Sequence, residues 1–135
     1  MSRDTIEMLQ RAHDAFRRGD LDGFVELWDA DCEYRPALET AVEGGGGVYR
    51  GHDGIRRWWH GMYDAWSEFT LEIHEIRDLG EHVLVLGVWR GRARHSGIAL
   101  ESPIAQVVTV RAGKSTTVQD FFDQEAALEA IGLAT

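Results

Sequence analysis

The pattern of apolar and polar positions along this chain changes its period once. Up to Trp66, most apolar residues recur every three or four positions, as Ile6, Leu9 and Ala12 do, which is typical of helices with one buried face. From Phe69 onward the period is two, which is typical of strands. Helices followed by a run of strands, rather than alternating with them, predict an α+β fold with an antiparallel sheet.

Residues 14–36 predict two helices and a strand in close succession. Gly19 is expected to end the first helix in the left-handed conformation, and Asp20 to cap the second. The strand at residues 31–36 then places Tyr34 on one of its two faces. Two helices folded tightly onto the first strand of a curved sheet form the wall of a cavity, and we expect the function to lie in that cavity.

The remaining elements follow from the same periods. A third helix is predicted from His52, with an inner apolar stripe formed by Ile55, Trp58, Trp59, Met62 and Trp66. The predicted strands are Phe69 to His74, Val83 to His95, Leu100 to Arg111 and Ser115 to Phe122. Asp123 is expected to cap a short closing helix. No repeat or linker divides the chain, so we expect residues 1–135 to form a single domain.

Four consecutive glycines, Gly44 to Gly47, interrupt the pattern between the first strand and the third helix. Glycines fix no backbone dihedral and pack no side chain, which predicts a mobile surface loop. The sequence leaves open whether this loop closes over a pocket mouth or is only a tolerated linker.

Composition narrows the class of partner. The formal net charge is −9 with no basic block, which argues against nucleic acid or an anionic membrane surface as partner. No segment approaches the roughly 20 apolar residues that a membrane-spanning helix needs. Cys32 is the single cysteine, and the first nine residues lack the apolar core of a signal peptide, so a cytoplasmic location is expected.

Three segments carry a resemblance to a known family. They are AFRRGDLD at residues 15–22, YRGHDGI at 49–55 and FFDQEAAL at 121–128. With the order of elements, they resemble the SnoaL-like, polyketide cyclase-like group of the nuclear transport factor 2-like superfamily over nearly the whole chain. The resemblance implies a cone-shaped, curved antiparallel sheet wrapped around N-terminal helices, with a short C-terminal helix and a cavity between them. It says little about the reaction, because this superfamily holds isomerases, cyclases, dehydratases and binding proteins without chemistry.

Asp120 is the candidate catalytic residue. On the predicted last strand it alternates with Val118 and Phe122, which places one acid between two apolar residues on one face. A carboxylate in an apolar cavity loses hydration, which suits it to act as an acid or base. The resemblance implies the same role, since the SnoaL-type cyclases are thought to use an inward acid here. They pair it with a histidine, where this chain has Gln106, which cannot carry a proton at neutral pH.

Five further residues are candidates for binding a ligand. They are Gln106, Tyr34, His13, Trp58 and Trp89. Gln106 and Tyr34 could orient a carbonyl or hydroxyl, whereas the histidine could carry a proton or simply be satisfied in a helix interface. The six histidines show no ligand spacing beside a carboxylate, so neither a metal nor another cofactor is expected.

Two functions of different classes remain open at this stage. One is an isomerase- or cyclase-type enzyme that acts on an apolar ring-bearing molecule with Asp120 as general acid/base. The other is a non-catalytic module that binds or sequesters a small hydrophobic ligand. The sequence names no substrate for either.

A homodimer through the outer face of the sheet is also predicted. The strand that starts at Val83 is apolar on both faces, since Val83, Val85 and Trp89 oppose three further apolar residues, Leu84, Leu86 and Val88. An antiparallel sheet with one face in water should alternate more cleanly. A second subunit is the usual cover for such a face, and relatives in the superfamily commonly pair this way.

Overall fold

Four helices and six strands make up the part of the chain that the computed structural model describes, residues 3–37 and 47–132. The helices are α1 (Arg3–Arg18), α2 (Leu21–Glu26), α3 (Gly51–Ala65) and α4 (Gln124–Ala130). The strands are β1 (Trp28–Arg35), β2 (Tyr49–Arg50), β3 (Trp66–Asp78), β4 (Val83–Ala93), β5 (Ala99–Arg111) and β6 (Lys114–Phe121). The predicted α+β fold class is confirmed. The predicted glycine loop lies outside the described residues except for Gly47.

The helix boundaries follow the capping signals in the sequence. Gly19 adopts a φ of 74°, which ends α1, and the Asp20 carboxylate accepts a hydrogen bond of 3.0 Å from the Gly23 amide at the start of α2. Asp123 caps α4 in the same way, accepting from the Ala126 amide at 2.7 Å. These short connections fold the helices back onto the strands that follow or precede them.

The six strands form one curved sheet in the order β2-β1-β6-β5-β4-β3. The predicted antiparallel pairing holds for four neighbouring pairs, whereas β1 and β6 run parallel. The strands β3 to β6 form three successive antiparallel hairpins. These hairpins bring β6 alongside β1, which lies far earlier in the sequence. Tyr34 on β1 therefore lies opposite Val118 on β6.

A bulge bends the sheet between β3 and β4. The register shifts between Ile73 and Glu75, and Gly87 lies opposite Ile73 at this point. A Cβ atom at Gly87 would lie 2.1 Å from the carbonyl oxygen of Glu72, so only glycine allows the two backbones to approach this closely. Bulges increase the local bend of a strand, and this one helps the sheet to curve around the helices.

Two apolar clusters lie on opposite faces of the sheet. The larger one fills the space between the inner face and helices α1 to α3, and it includes Trp58 and Trp89. The smaller one lies on the outer face, where Ala127 of α4 packs with Leu84 and Val107. The closing helix of the same chain therefore covers part of the outer face, which the sequence pattern had assigned to a second subunit.

Candidate functional site

A cavity lies between the inner face of the sheet and the helices α1, α2 and α3. The centre of a water-sized sphere can occupy about 110 Å³ of it, whereas one water molecule needs about 10–15 Å³ in this measure. The cavity can therefore hold several waters or one small organic molecule. All six residues that the sequence predicts for the site line it: His13, Tyr34, Trp58, Trp89, Gln106 and Asp120.

The sheet register positions Asp120 between two hydrogen-bond donors. The Tyr34 hydroxyl on β1 donates to Oδ2 of Asp120 at 2.5 Å, and Nε2 of Gln106 on β5 donates to Oδ1 at 2.9 Å. Asp120 and Gln106 are direct partners in the β5–β6 ladder, and β1 flanks β6 on its other side. Each carboxyl oxygen thus has its own donor, which fixes the plane of the group against the cavity wall.

Asp120 has a strongly shifted pKa. Part of its surface remains accessible, but protein surrounds the carboxyl, and this loss of hydration raises its pKa to about 7. The hydrogen bonds from Tyr34 and Gln106 favour the charged form and lower the pKa, although by less than burial raises it. Both protonation states of Asp120 are therefore populated near neutral pH, as general acid/base chemistry requires.

His13 on α1 is another titratable side chain that lines the cavity. Burial lowers its pKa, and the positive charge of Arg17 lowers it further, against a smaller opposing effect of Asp14. The imidazole is therefore neutral at pH 7. Its Nδ1 atom is buried and makes no hydrogen bond within residues 3–37 and 47–132.

Trp58 on α3 joins the cavity to an aromatic cluster. Its ring meets that of Tyr34 edge-on at 5.0 Å and stacks on Phe16 and Phe24 at 5.8 and 6.0 Å. The residue is only 7% exposed, and its indole N–H has no partner among the described residues. Burying a donor without a partner costs about 1–3 kcal/mol, which the ring contacts of Trp58 have to offset.

Trp89 on β4 contributes an apolar wall. Its ring lies edge-on to that of Trp66 at 4.6 Å and extends over Gly91, where a Cβ atom would lie 2.2 Å from the indole. The glycine therefore leaves room for the ring to lie along the strand. The remaining lining is mostly aliphatic and aromatic and comes from both the helices and the sheet.

The cavity is also lined by residues that the sequence analysis did not name as site candidates, among them Trp28 and Ser115. Trp28 packs against Phe24 and Tyr34 as a core residue does, and it also borders the cavity. Ser115, on β6, is 6% exposed and lines the same space. Its position follows from the register shift between Thr109 and Val110, and no sequence pattern signals that shift.

Among residues 3–37 and 47–132, no three His, Cys, Asp or Glu side chains are grouped so that they could hold a metal ion. Within the same ranges, none of the helices combines the length and apolar character needed to cross a bilayer.

Comparisons with known proteins identify relatives over nearly the whole chain. The family model for the SnoaL-like domain matches residues 9–118. An uncharacterised protein of Mycobacterium tuberculosis is 29% identical over 126 residues, which cover 92% of this chain and 92% of the relative.

Solved structures agree with this match. The chain is similar to an NTF2-like protein of unknown function from Burkholderia pseudomallei, with a TM-score of 0.80 and 25% identity over 98% of this chain and 99% of the other. It is also similar to TerC, which was co-crystallised with polyporic acid, with a TM-score of 0.78 and 26% identity over 95% of this chain and 98% of TerC.

Proposed function

Because this chain belongs to the SnoaL-like domain family, we propose that it binds a small, apolar, ring-bearing molecule in the cavity and moves a proton on it in an isomerase- or cyclase-type reaction. Asp120 is the general acid/base. One observation carries the proposal: a carboxyl with a pKa of about 7 lies at the wall of an apolar cavity, with each of its oxygens held by a donor. Similarity to TerC, a protein crystallised with a small molecule, supports a small-molecule ligand here.

The chemistry follows from the two protonation states of Asp120. In the ionised state, the carboxylate takes a proton from a carbon next to a ring carbonyl, and the electron pair of that C–H bond moves to form an enolate. The protonated acid then returns the proton to another position of the conjugated system. Gln106 has two N–H donors, and a tyrosine hydroxyl can accept as well as donate, so both side chains can orient a ligand carbonyl or hydroxyl. Trp58, Trp89 and His13 form walls around the ring.

A non-catalytic binding module is the second candidate. Within the described residues, the hydrogen-bond partners of Asp120 are Tyr34 and Gln106. Where the SnoaL-type cyclases are thought to pair their acid with a histidine, this chain has Gln106, and a glutamine cannot carry a proton at neutral pH. The absence of a proton-carrying side chain at this position favours binding without turnover.

Hydrogen exchange of a ring ketone separates the two candidates. 2-Tetralone is an apolar ring ketone with exchangeable protons next to its carbonyl, and its loss of these proton signals in D₂O can be followed by NMR. We expect the protein to accelerate the exchange and Asp120→Asn to reduce the acceleration by about 10²–10⁴-fold, the usual contribution of a general base. Asp64 is exposed, and Asp64→Asn serves as the matched control with unchanged exchange. Binding of 2-tetralone without acceleration would support the binding module instead.

We also propose a homodimer through the part of the outer sheet face that α4 leaves uncovered. On β4, Leu86 and Val88 point outward and are half-buried, beside the cluster that Ala127 covers. A second subunit that covers these side chains would remove the rest of this apolar strip from water.

Light scattering at micromolar concentration tests this assembly. We expect a dimer for the unmodified chain and a monomer for Val88→Glu, because the new charge would have to be buried in the interface. Gln10→Glu, on the exposed side of α1 and away from the outer sheet face, is the control that should remain dimeric. A monomer for the unmodified chain would refute the proposal.

A further inference from the structure

The cavity is lined by no lysine or arginine. All 14 of these residues lie in the part of the chain that the structure describes, and none of them borders the cavity. Arg90, for example, pairs with Glu72 and Glu101 on the exposed surface of the sheet, at 2.9 and 2.6 Å. His13 does line the cavity, but burial and the positive charge of Arg17 lower its pKa, so it is neutral at pH 7. No described side chain therefore offers a positive charge to a bound anion.

Asp120 contributes the negative charge of this cavity. It is the acidic side chain among the described lining residues. Tyr34 from β1 and Gln106 from β5 face it and donate to its two oxygens, and neither is a basic side chain. His13 is the titratable lining residue from the helices, and the other described lining residues are uncharged. The ionised carboxylate is therefore stabilised by hydrogen bonds alone, with no counter-charge beside it.

Proton transfer as proposed above keeps the charge of the site constant. Before the transfer, the carboxylate carries one negative charge and the ring ketone carries none. After the transfer, the enolate carries that charge and Asp120 is a neutral acid. A second negative charge on the ligand would be buried beside the first without a cation, which desolvation and repulsion both oppose. The net charge of −9 also repels anions at longer range.

We propose that the ligand enters the cavity as an uncharged molecule, and that Asp120 is the specificity-determining residue that excludes ring anions such as carboxylates, sulfonates and phosphates. The inference rests on the proposed function, since it describes the ligand of the same cavity. An acidic ligand binds only together with one proton, which either its own oxygen or Asp120 holds. The affinity for anions therefore falls as the pH rises through about 7, where Asp120 ionises.

Two probes of nearly the same shape test this selection. Methyl phenyl sulfone is uncharged, whereas benzenesulfonate has an oxygen in place of the methyl group and is an anion at every pH used. Both have fewer non-hydrogen atoms than 2-tetralone. NMR titrations at constant ionic strength give the ratio of the benzenesulfonate Kd to the sulfone Kd. We expect a ratio of about 10 or more at pH 6, because no cation is present, and a further rise of about 10-fold by pH 8.5, because Asp120 is then ionised.

Asp120→Asn is the informative variant, and Asp64→Asn is its matched control. Both substitutions remove one acid, but Asp64 is exposed on α3 and does not line the cavity. In Asp120→Asn the Kd ratio should be the same at pH 6 and pH 8.5, and it should stay above one because the cavity still lacks a cation. In Asp64→Asn the ratio should rise with pH as in the unmodified protein. Loss of that rise in Asp64→Asn would assign it to the overall charge and overturn the proposal.

The outcomes separate this inference from the proposed function. A Kd ratio near one in the unmodified protein at pH 8.5, or a ratio that rises equally with pH in Asp120→Asn, overturns the charge selection and leaves the proton-transfer proposal standing. Failure of the sulfone to bind the unmodified protein overturns the inference and counts against the ring-bearing ligand. Unchanged exchange of 2-tetralone in Asp120→Asn overturns the catalytic role alone.

Discussion

Asp120→Asn is expected to raise the melting temperature by roughly 10 °C at pH 8 and to leave it nearly unchanged at pH 4. The cause is the cost of ionising a carboxyl that the fold has removed from water. Asparagine has almost the same shape and carries no charge at either pH. It also keeps the local bonds, because its carbonyl can accept from Gln106 and its amide can donate to the Tyr34 oxygen.

The direction of this change in melting temperature follows from proton linkage. The pKa of Asp120 is about 7 in the folded state and near 3.8 in the unfolded chain. Below pH 3.8 Asp120 is largely protonated in both the folded and the unfolded state, so it does not lower the free energy of unfolding. As the pH rises from about 4 to 7, the unfolded chain ionises first, so the free energy of unfolding falls, by about 3 kcal/mol once partial solvent access is allowed for. Above pH 7 Asp120 is ionised in both states, so the free energy of unfolding falls no further on its account.

Thermal unfolding at pH 4, 6 and 8 checks this prediction. The difference in melting temperature between the variant and the unmodified protein should open across that interval. Asp64→Asn, on the exposed surface of α3, should follow the unmodified protein at every pH. Parallel curves for Asp120→Asn and the unmodified protein would show that the carboxyl is well solvated, and its role as an acid/base near pH 7 would lose its basis.

Gly87→Ala is expected to destabilise the fold by about 3 kcal/mol or more. The added methyl group would be placed 2.1 Å from a backbone carbonyl oxygen, that of Glu72, which cannot rotate away as a side chain could. The bulge between β3 and β4 must therefore open, and ladder hydrogen bonds on both strands weaken with it. Urea denaturation followed by circular dichroism gives the change in the free energy of unfolding.

Gly61→Ala is the matched control for this substitution. Gly61 lies in the interior of α3, and a Cβ atom there would meet nothing within 4 Å. Alanine loses less backbone entropy on folding than glycine, so we expect a gain of about 0.5–1 kcal/mol. A loss at Gly61, or a change near zero at Gly87, would contradict the close approach of the two backbones.

The residues of the cavity could be predicted from the sequence where a simple period decides orientation. Gln106 and Asp120 face inward because period-two alternation holds over residues 105–109 and 117–121, and Trp58 faces inward because it lies on the apolar stripe of α3. The hydrogen bond between Tyr34 and Asp120 could not be predicted. The two residues are 86 positions apart, and their contact depends on the order of strands in the sheet.

Features that depend on tertiary packing could not be predicted from the pattern of apolar and polar residues. The parallel β1–β6 pair follows from how three hairpins fold back, and neither strand's own sequence encodes that direction. The cover that Ala127 provides for Leu84 could not be separated from cover by a second subunit, because an apolar outer face looks the same in both cases. That the Trp58 N–H has no partner among residues 3–37 and 47–132 likewise becomes visible only once its surroundings are known.

The position of β1 between β2 and β6 sets the order of events during synthesis. Among the described residues, the strand partners of β1 are the two-residue β2 and β6, and β6 leaves the ribosome some 80 residues later. Until then, one long edge of β1 exposes unpaired backbone groups, a state that invites pairing with other nascent chains. The hairpins from β3 to β6 can form locally and quickly, whereas joining β1 to them must close a long loop. The two halves of the Asp120 site therefore meet in that late step, and the protein acquires its carboxyl centre only when the sheet is completed.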